Sequence, residues 1–315
     1  MNNDSLSVLL LTNRLVDVDT KPLTAREFWD FYSKISEIGK VLEYSADVLV
    51  SEYGLDSEEA ERAKKLCDAA TAFTFEMERL EEAGIRVLSF LDDDFPKRVT
   101  NALGVKSSAF LLVAGNLELF EKTGRGIVGS RNAGEDSIDV AQSAAYSAVR
   151  QGEVVVSGLA KGIDRVAMSA ALEADGQVVG VPTEGIRRIA NVNEIRNLVH
   201  EGRICLVSPY APDVGFSVGL AMGRNKFVYA LSESTLVVTS DLEKGGTWAG
   251  AEEALKGEFA QVDVWAGDGA TKGNLALITK GAHPVSSKDE FWASGFIPAP
   301  AVFDSEPEQL RLSFD

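Results

Sequence analysis

The sequence holds 315 residues, 45% of them hydrophobic, 25% charged and 8% aromatic. That is a globular composition, long enough for two or three domains, and it excludes disorder over most of the chain. Two distant cysteines, Cys67 and Cys205, exclude a disulfide framework and a CxxC metal or redox motif. The net charge of −17 argues against a protein that coats duplex nucleic acid.

That charge is unevenly spread, at −9 over residues 1–124, 0 over 125–230 and −8 over 231–315. A locally neutral or basic cleft inside an acidic body still attracts a polyanion, because screening limits each charge to about 8 Å. No apolar run is long enough to span a membrane, and no signal-peptide pattern opens the chain, so the expected location is the cytoplasm.

In chain order, residues 1–84 read as a helical N-terminal domain. Apolar residues at helical intervals (Phe28, Phe31, Tyr32, Ile35) mark a helix over 23–35. A longer helix is predicted over 57–83, with Asp56 as N-cap, Glu59 three residues on, and the stripe Leu66, Ala70, Phe73, Met77, Leu80. A strand follows over 85–90. The acidic loop Asp92-Asp93-Asp94 lacks the spacing of a calcium loop and reads as solvated.

From residue 109 short apolar runs alternate with helical stretches. Strands are predicted at 109–113, 125–128, 154–156, 177–181, 204–207, 236–238 and 262–265. Helices are predicted at 136–150, 163–174, 192–201, 218–231, 248–256 and 273–280. This alternation predicts βαβ units and a parallel sheet with both faces covered, since strands such as Val154-Val155-Val156 are apolar throughout. The predicted class is α/β, a Rossmann-like parallel sheet flanked by helices over residues 85–297. An acidic tail, 298–315, completes the chain.

In such sheets ligands bind where a strand's carboxyl end leads into a helix. Three loops of this kind share a composition: Gly129-Ser130-Arg131, Ser157-Gly158-Leu159-Ala160-Lys161-Gly162-Ile163-Asp164, and Gly245-Gly246-Thr247. Arg224-Asn225-Lys226, in or beside a helix, adds charge. Glycines admit close backbone approach, hydroxyls add donors and the four cations add charge, which are the parts of a phosphate cradle. The candidate phosphate- and nucleic-acid-binding residues are Gly129, Ser130, Arg131, Ser157, Gly158, Lys161, Gly162, Asp164, Arg224, Asn225, Lys226, Gly246 and Thr247.

Other chemistries lack their residues. Neither G-x-G-x-x-G nor G-x-x-x-x-G-K-[ST] occurs, so no nucleotide cofactor is expected. His200 and His283 are the sole histidines, too few for a histidine metal cluster, and nothing pairs either with a nucleophile. No catalytic residue and no metal is expected. Glu252 and Glu253, after Gly245-Gly246-Thr247, leave carboxylate chemistry open.

At these residues the sequence resembles the DprA/Smf family, a branch of the Rossmann-like SLOG group. The block Ser157–Asp164 matches the family's S-G-L-A-[RK]-G-I-D, with Gly129-Ser130-Arg131 as its G-S-R and Arg224-Asn225-Lys226 in place of R-N-R. Lys272-Gly273-Asn274-Leu275-Ala276-Leu277-Ile278 resembles its G-x-N-x-L-I segment, and Asp94-Phe95-Pro96 and Gly115-Asn116-Leu117 match its approach to the fold.

The resemblance spans roughly residues 60–286. It implies a protein that binds single-stranded DNA, dimerises with its own copy and assists a RecA-type recombinase, without enzymatic activity. Relatives that partner effector or toxin proteins in phage defence suggest a regulator or antitoxin instead. Two departures stand out: Ala167-Met168 where the family has Ala-His, and Lys226 where it has Arg. A SLOG-type nucleotide phosphoribohydrolase is the competing reading, but its motif places a Glu three residues after the Thr, where this chain has Gly250.

Overall fold

The computed structural model describes residues 1–13 and 15–292, so the expected tail at 298–315 lies outside the described residues. The chain forms two compact units. The first comprises Met1–Ala114, Glu184–Ala190 and Val207–Gly215, and the other described residues form the second.

The first unit opens with α1 (Asn3–Thr12), whose Val8–Leu11 run is buried in the core. It continues through α2 (Ala25–Lys34), α3 (Ala46–Tyr53), α4 (Ser57–Cys67) and α5 (Ala70–Glu82). Local chemistry sets these boundaries. Thr24 and Glu27 close a reciprocal capping box on α2, Ser45 caps α3, and Asp56 caps α4 by accepting from the Glu59 amide at 2.8 Å.

The single helix expected over 57–83 is two, parted at Asp68-Ala69. Asp68 places a negative charge at the carboxyl end of α4, where the helix dipole opposes it, and its short side chain is a poor helix former. The stripe keeps Leu66, Phe73 and Leu80 buried, while Ala70 and Met77 are only half-buried.

β1 (Arg86–Ser89) pairs antiparallel with β2 (Phe110–Gly115), Arg86 opposite Val113 and Ser89 opposite Phe110, with α6 (Lys97–Leu103) between them. Of the acidic loop, Asp92 accepts from Ser5 Oγ at 2.6 Å and from the Ser89 amide at 2.8 Å, and Asp94 pairs with Arg86. Phe28, Phe31, Leu49, Ala60 and Ala63 form the centre of this core. Phe90 packs edge-on against Trp29 and Tyr32 at 4.8 and 5.1 Å between ring centroids.

The second unit carries a parallel sheet. Its strands are β3 (Gly124–Gly129), β4 (Val154–Ser157), β5 (Val178–Gly180), β6 (Ile204–Ser208), β7 (Ser234–Thr239), β8 (Gln261–Trp265) and β9 (His283–Val285). Between them run α7 (Glu135–Arg150), α8 (Ile163–Glu173), α9 (Ile186–Ala190, a return to the first unit), α10 (Asn193–His200), α11 (Val218–Ala230), α12 (Gly245–Gly257) and α13 (Lys272–Thr279).

The strand order is β6-β5-β4-β3-β7-β8-β9, every neighbouring pair parallel. This is the expected α/β, Rossmann-like class. The chain builds outward from β3 in one direction and from β7 in the other, so the crevice of the sheet opens between the carboxyl ends of these two strands.

Asn274 explains much of the 272–282 segment. Its side chain, fully buried, donates to the carbonyls of Val238 and Trp265 at 2.9 Å each and ties α13 to the ends of β7 and β8. β9 was not predicted, because three residues with proline in the middle give no periodic signal. No helix of the described residues is long and apolar enough to cross a membrane.

Candidate nucleic-acid interface

β3 ends at Gly129, and two bonds fix the turn that follows. The Ser130 amide donates to Thr239 O at 3.1 Å, joining it to the end of β7, and Thr247 Oγ1 donates to Gly129 O at 3.0 Å. Ser130 Oγ accepts from the Asn132 amide at 3.2 Å. Arg131 is left exposed, its guanidinium carbon 5.6 Å from the centroid of the Phe216 ring.

The loop after β4 is built differently. Ser157 is fully buried and donates to Ile127 O at 2.6 Å, so it stitches β4 to β3. Leu159 (φ 59°) and Gly162 (φ 87°) take left-handed backbone. A Cβ at Gly162 would run into the Ser130 carbonyl and Arg131 backbone, so only glycine lets this loop nest under the first. Lys161 points its charge from an exposed position.

Asp164, in the first turn of α8, is 6% exposed and accepts from the backbone amides of Gly129, Gly158 and Ala160. Arg224 reaches it from α11, Nη1 lying 3.7 Å from Oδ2, while Nη2 donates to Thr183 Oγ1 at 3.2 Å. Burial pushes the Asp164 carboxyl above the ordinary carboxylate value, opposed by the Arg224 charge and the three amides.

α12 starts at Gly245 with Lys244 as N-cap and no side-chain cap, which leaves first-turn amide dipoles for an anion. Asn225 Nδ2 donates to Gly246 O at 2.9 Å and sets α11 against this turn.

These pieces surround a cleft of about 560 Å³ at the β3/β7 crevice, within the size range of small-ligand sites. Of the residues expected from sequence, Gly129, Ser130, Arg131, Asp164, Arg224, Asn225, Gly246 and Thr247 line it. Ser157, Gly158, Lys161, Gly162 and Lys226 are not in the lining. Lys161 stands on the same loop as Ala160, which is.

The sequence reasoning missed Lys244, Asn132, Asp241, Tyr229 and the apolar group Phe216, Val218 and Met222. Phe216 is 50% exposed. Lys244 was legible as a cation directly before the Gly-Gly turn. Phe216 was not, since its loop carries no motif.

Residues 86–294 match the family model described as DNA recombination-mediator protein A. The chain is 30% identical over 203 residues to the DNA processing protein DprA of Bacillus subtilis, covering 63% of this chain and 67% of that protein. It is 28% identical over 237 residues to protein Smf of Synechocystis, covering 71% of this chain and 57% of that protein.

In fold it is similar to the X-ray structure of DprA from Streptococcus pneumoniae, with a TM-score of 0.61 and 23% identity, over 88% of this chain and 99% of that one. It is also similar to Helicobacter pylori DprA, described for its unique single-stranded DNA binding mode, with a TM-score of 0.55 and 22% identity, over 66% of this chain and 93% of that one. Because the family model extends over more than half of the sequence, from β1 to beyond the last described strand, the chain belongs to the DNA recombination-mediator protein A family, the DprA/Smf proteins of DNA processing.

Proposed function

We propose that the chain binds single-stranded DNA in the β3/β7 cleft and acts in DNA processing as a binding protein, without bond chemistry of its own. One observation carries this reading: exposed Arg131 and Lys244 line the cleft together with the uncapped start of α12, the half-exposed ring of Phe216 lies beside Arg131, and exposed Lys161 stands on the adjoining loop of Ala160. Cations and helix amides suit backbone phosphate, and an exposed ring suits an unstacked base, which a duplex does not offer. The H. pylori relative's single-stranded DNA binding supports the choice of ligand.

The competing hydrolase reading needs Glu252 or Glu253 as its acid or base. Neither lines the cleft, and Glu252 is held below the ordinary carboxylate value by hydrogen bonds from Lys280 and Lys256. From its family we infer further that the chain pairs with a second copy of itself and hands the strand to a RecA-type recombinase or acts on an effector or toxin partner.

The test is fluorescence anisotropy with a short oligothymidine and the matching duplex. Single strand binds better, Arg131→Glu and Lys161→Glu each weaken it sharply, and Lys64→Glu on α4 has little effect. Equal losses in all three variants would mean that the cleft is misplaced. Nucleotide turnover abolished by Glu253→Gln would overturn the binding-protein reading.

A further inference from the structure

We propose that Arg224 is a positioning residue, which holds the 157–164 loop in shape through Asp164 and does not itself touch the strand. The inference rests on the single-stranded DNA reading above and revises the role that Arg224's charge suggests. Three observations meet at this side chain.

First, Arg224 is 3% exposed, and its Nε and Nη1 are sealed from solvent although the residue borders the cleft. A phosphate oxygen cannot reach hydrogen-bond distance of those atoms without a rearrangement. Second, the guanidinium spans two backbone segments. It faces the carboxylate that gathers the amides of Gly129, Gly158 and Ala160, and it donates to Thr183 beyond β5. Withdrawing it toward a phosphate would strand Asp164 as an uncompensated buried acid. Third, the loop is shaped around it: a Cβ at Gly158 would overlap Nη1 and crowd Asp164 Oδ2. Gly158 is therefore glycine to admit the guanidinium, and the space it leaves is already filled by protein.

The planar fork matters here, because two acceptors lie on separate segments and a single ammonium cannot span both. Arg224 thus acts on Lys161 and on the Gly129 turn at one remove, by holding Asp164 centred between the two turns.

Asp164→Asn, Arg224→Lys, Arg224→Met and the Asp164→Asn/Arg224→Met double variant test this by oligothymidine titration and by hydrogen exchange of residues 157–164 without DNA. The expected results are roughly tenfold or greater weakening in Arg224→Lys despite the retained charge, and weakening in Asp164→Asn. The double variant should be no worse than the poorer single, and loop exchange should be faster in all of them.

A phosphate-contacting Arg224 gives the opposite signs: Asp164→Asn frees the guanidinium and tightens binding, Arg224→Lys binds nearly as wild type, and loop exchange is unchanged. Any of these overturns the proposal, as does loss of the whole fold in Arg224→Lys, since a loop contact leaves the sheet standing. If the wild type binds no single strand, the DNA reading fails, and the exchange measurement still decides whether Arg224 holds the loop.

Discussion

Raising salt from about 50 to about 200 mM should weaken single-strand binding roughly 20-fold. The number comes from the cations that can reach a phosphate. Arg131 and Lys244 are exposed in the lining and Lys161 is exposed on the loop whose Ala160 lines it, whereas Arg224 is buried beside Asp164 and Lys226 is half-buried on α11 outside the lining, its Nζ 5.4 Å from the Phe227 ring centroid. Three contacts at about −0.7 each give a logarithmic slope of about −2.1, and a fourfold rise in salt then costs roughly 20-fold. Counting all the cations expected from sequence (Arg131, Lys161, Arg224 and Lys226) would give a slope of about −2.8 and a loss of roughly 50-fold. Anisotropy titration of a labelled oligothymidine at four salt concentrations separates the two. Lys244→Gln should lower the slope by about 0.7 and Lys226→Gln should leave it unchanged. A flat response would refute phosphate contact as the source of affinity, and a slope that drops with Lys226 but not with Lys244 would refute the count.

Phe216→Ala should cost about 1–3 kcal/mol of single-strand affinity, as loss of a base-stacking ring does, and leave the salt slope in place; an unchanged dissociation constant would remove Phe216 from the site. Gly162→Ala should destabilise the protein by at least about 2 kcal/mol in denaturant titration and abolish binding, because the left-handed backbone and the Ser130 carbonyl both exclude a methyl group. Arg62 forms a two-pronged pair with Glu27 at 3.0 and 3.2 Å and, with the Thr24 amide, holds that carboxyl down to about 2. A depressed carboxyl stabilises the fold above its unfolded value of 4.5 and ceases to do so as pH falls toward about 2. Arg62→Ala should therefore lower stability by about 1 kcal/mol at pH 7, discounted because Glu27 is 44% exposed, with the gap closing below pH 4.5 in urea melts.

The sheet was legible because its signal is local and repeated. Strands such as β4, with Val154, Val155 and Val156, are apolar on both faces, and α7 and α8 have helical periods that end where the sequence turns to glycine. The glycine turns at the strand ends were legible for the same reason, since glycine after a strand is a backbone requirement that sequence displays. Burial of charge was not. Asp164 and Arg224 carry the same letters whether they face solvent or each other, and only the fold brings α11 across the start of α8. Ser157 reads as a hydroxyl donor to a ligand, yet its bond is spent on Ile127 within the sheet. The break at Asp68 was visible as a residue type, but an unbroken stripe of Leu66, Phe73 and Leu80 outweighed it in the periodic reading.

The two departures from the family pattern have different consequences once placed. Met168, at the position where the family pattern resembled by the sequence has histidine, is fully buried in α8, so the position is filled by packing and gives the cleft no titrating group. Lys226 replaces an arginine outside the lining, where a point charge serves as well as a fork, so the cleft itself loses no donor. Lys244 adds charge on the other side, at the N-cap of α12, where it lines the cleft beside the Gly-Gly turn. Positive charge therefore comes from both sides of the crevice, from Arg131 and Lys161 after β3 and β4 and from Lys244 after β7. The acidic remainder of the chain, −9 before residue 125 and −8 after residue 230, repels any strand that strays beyond a screening length. On the proposed reading, a small cationic cleft in a chain of net charge −17 favours a short, flexible strand that makes few phosphate contacts over a stiff duplex that needs many.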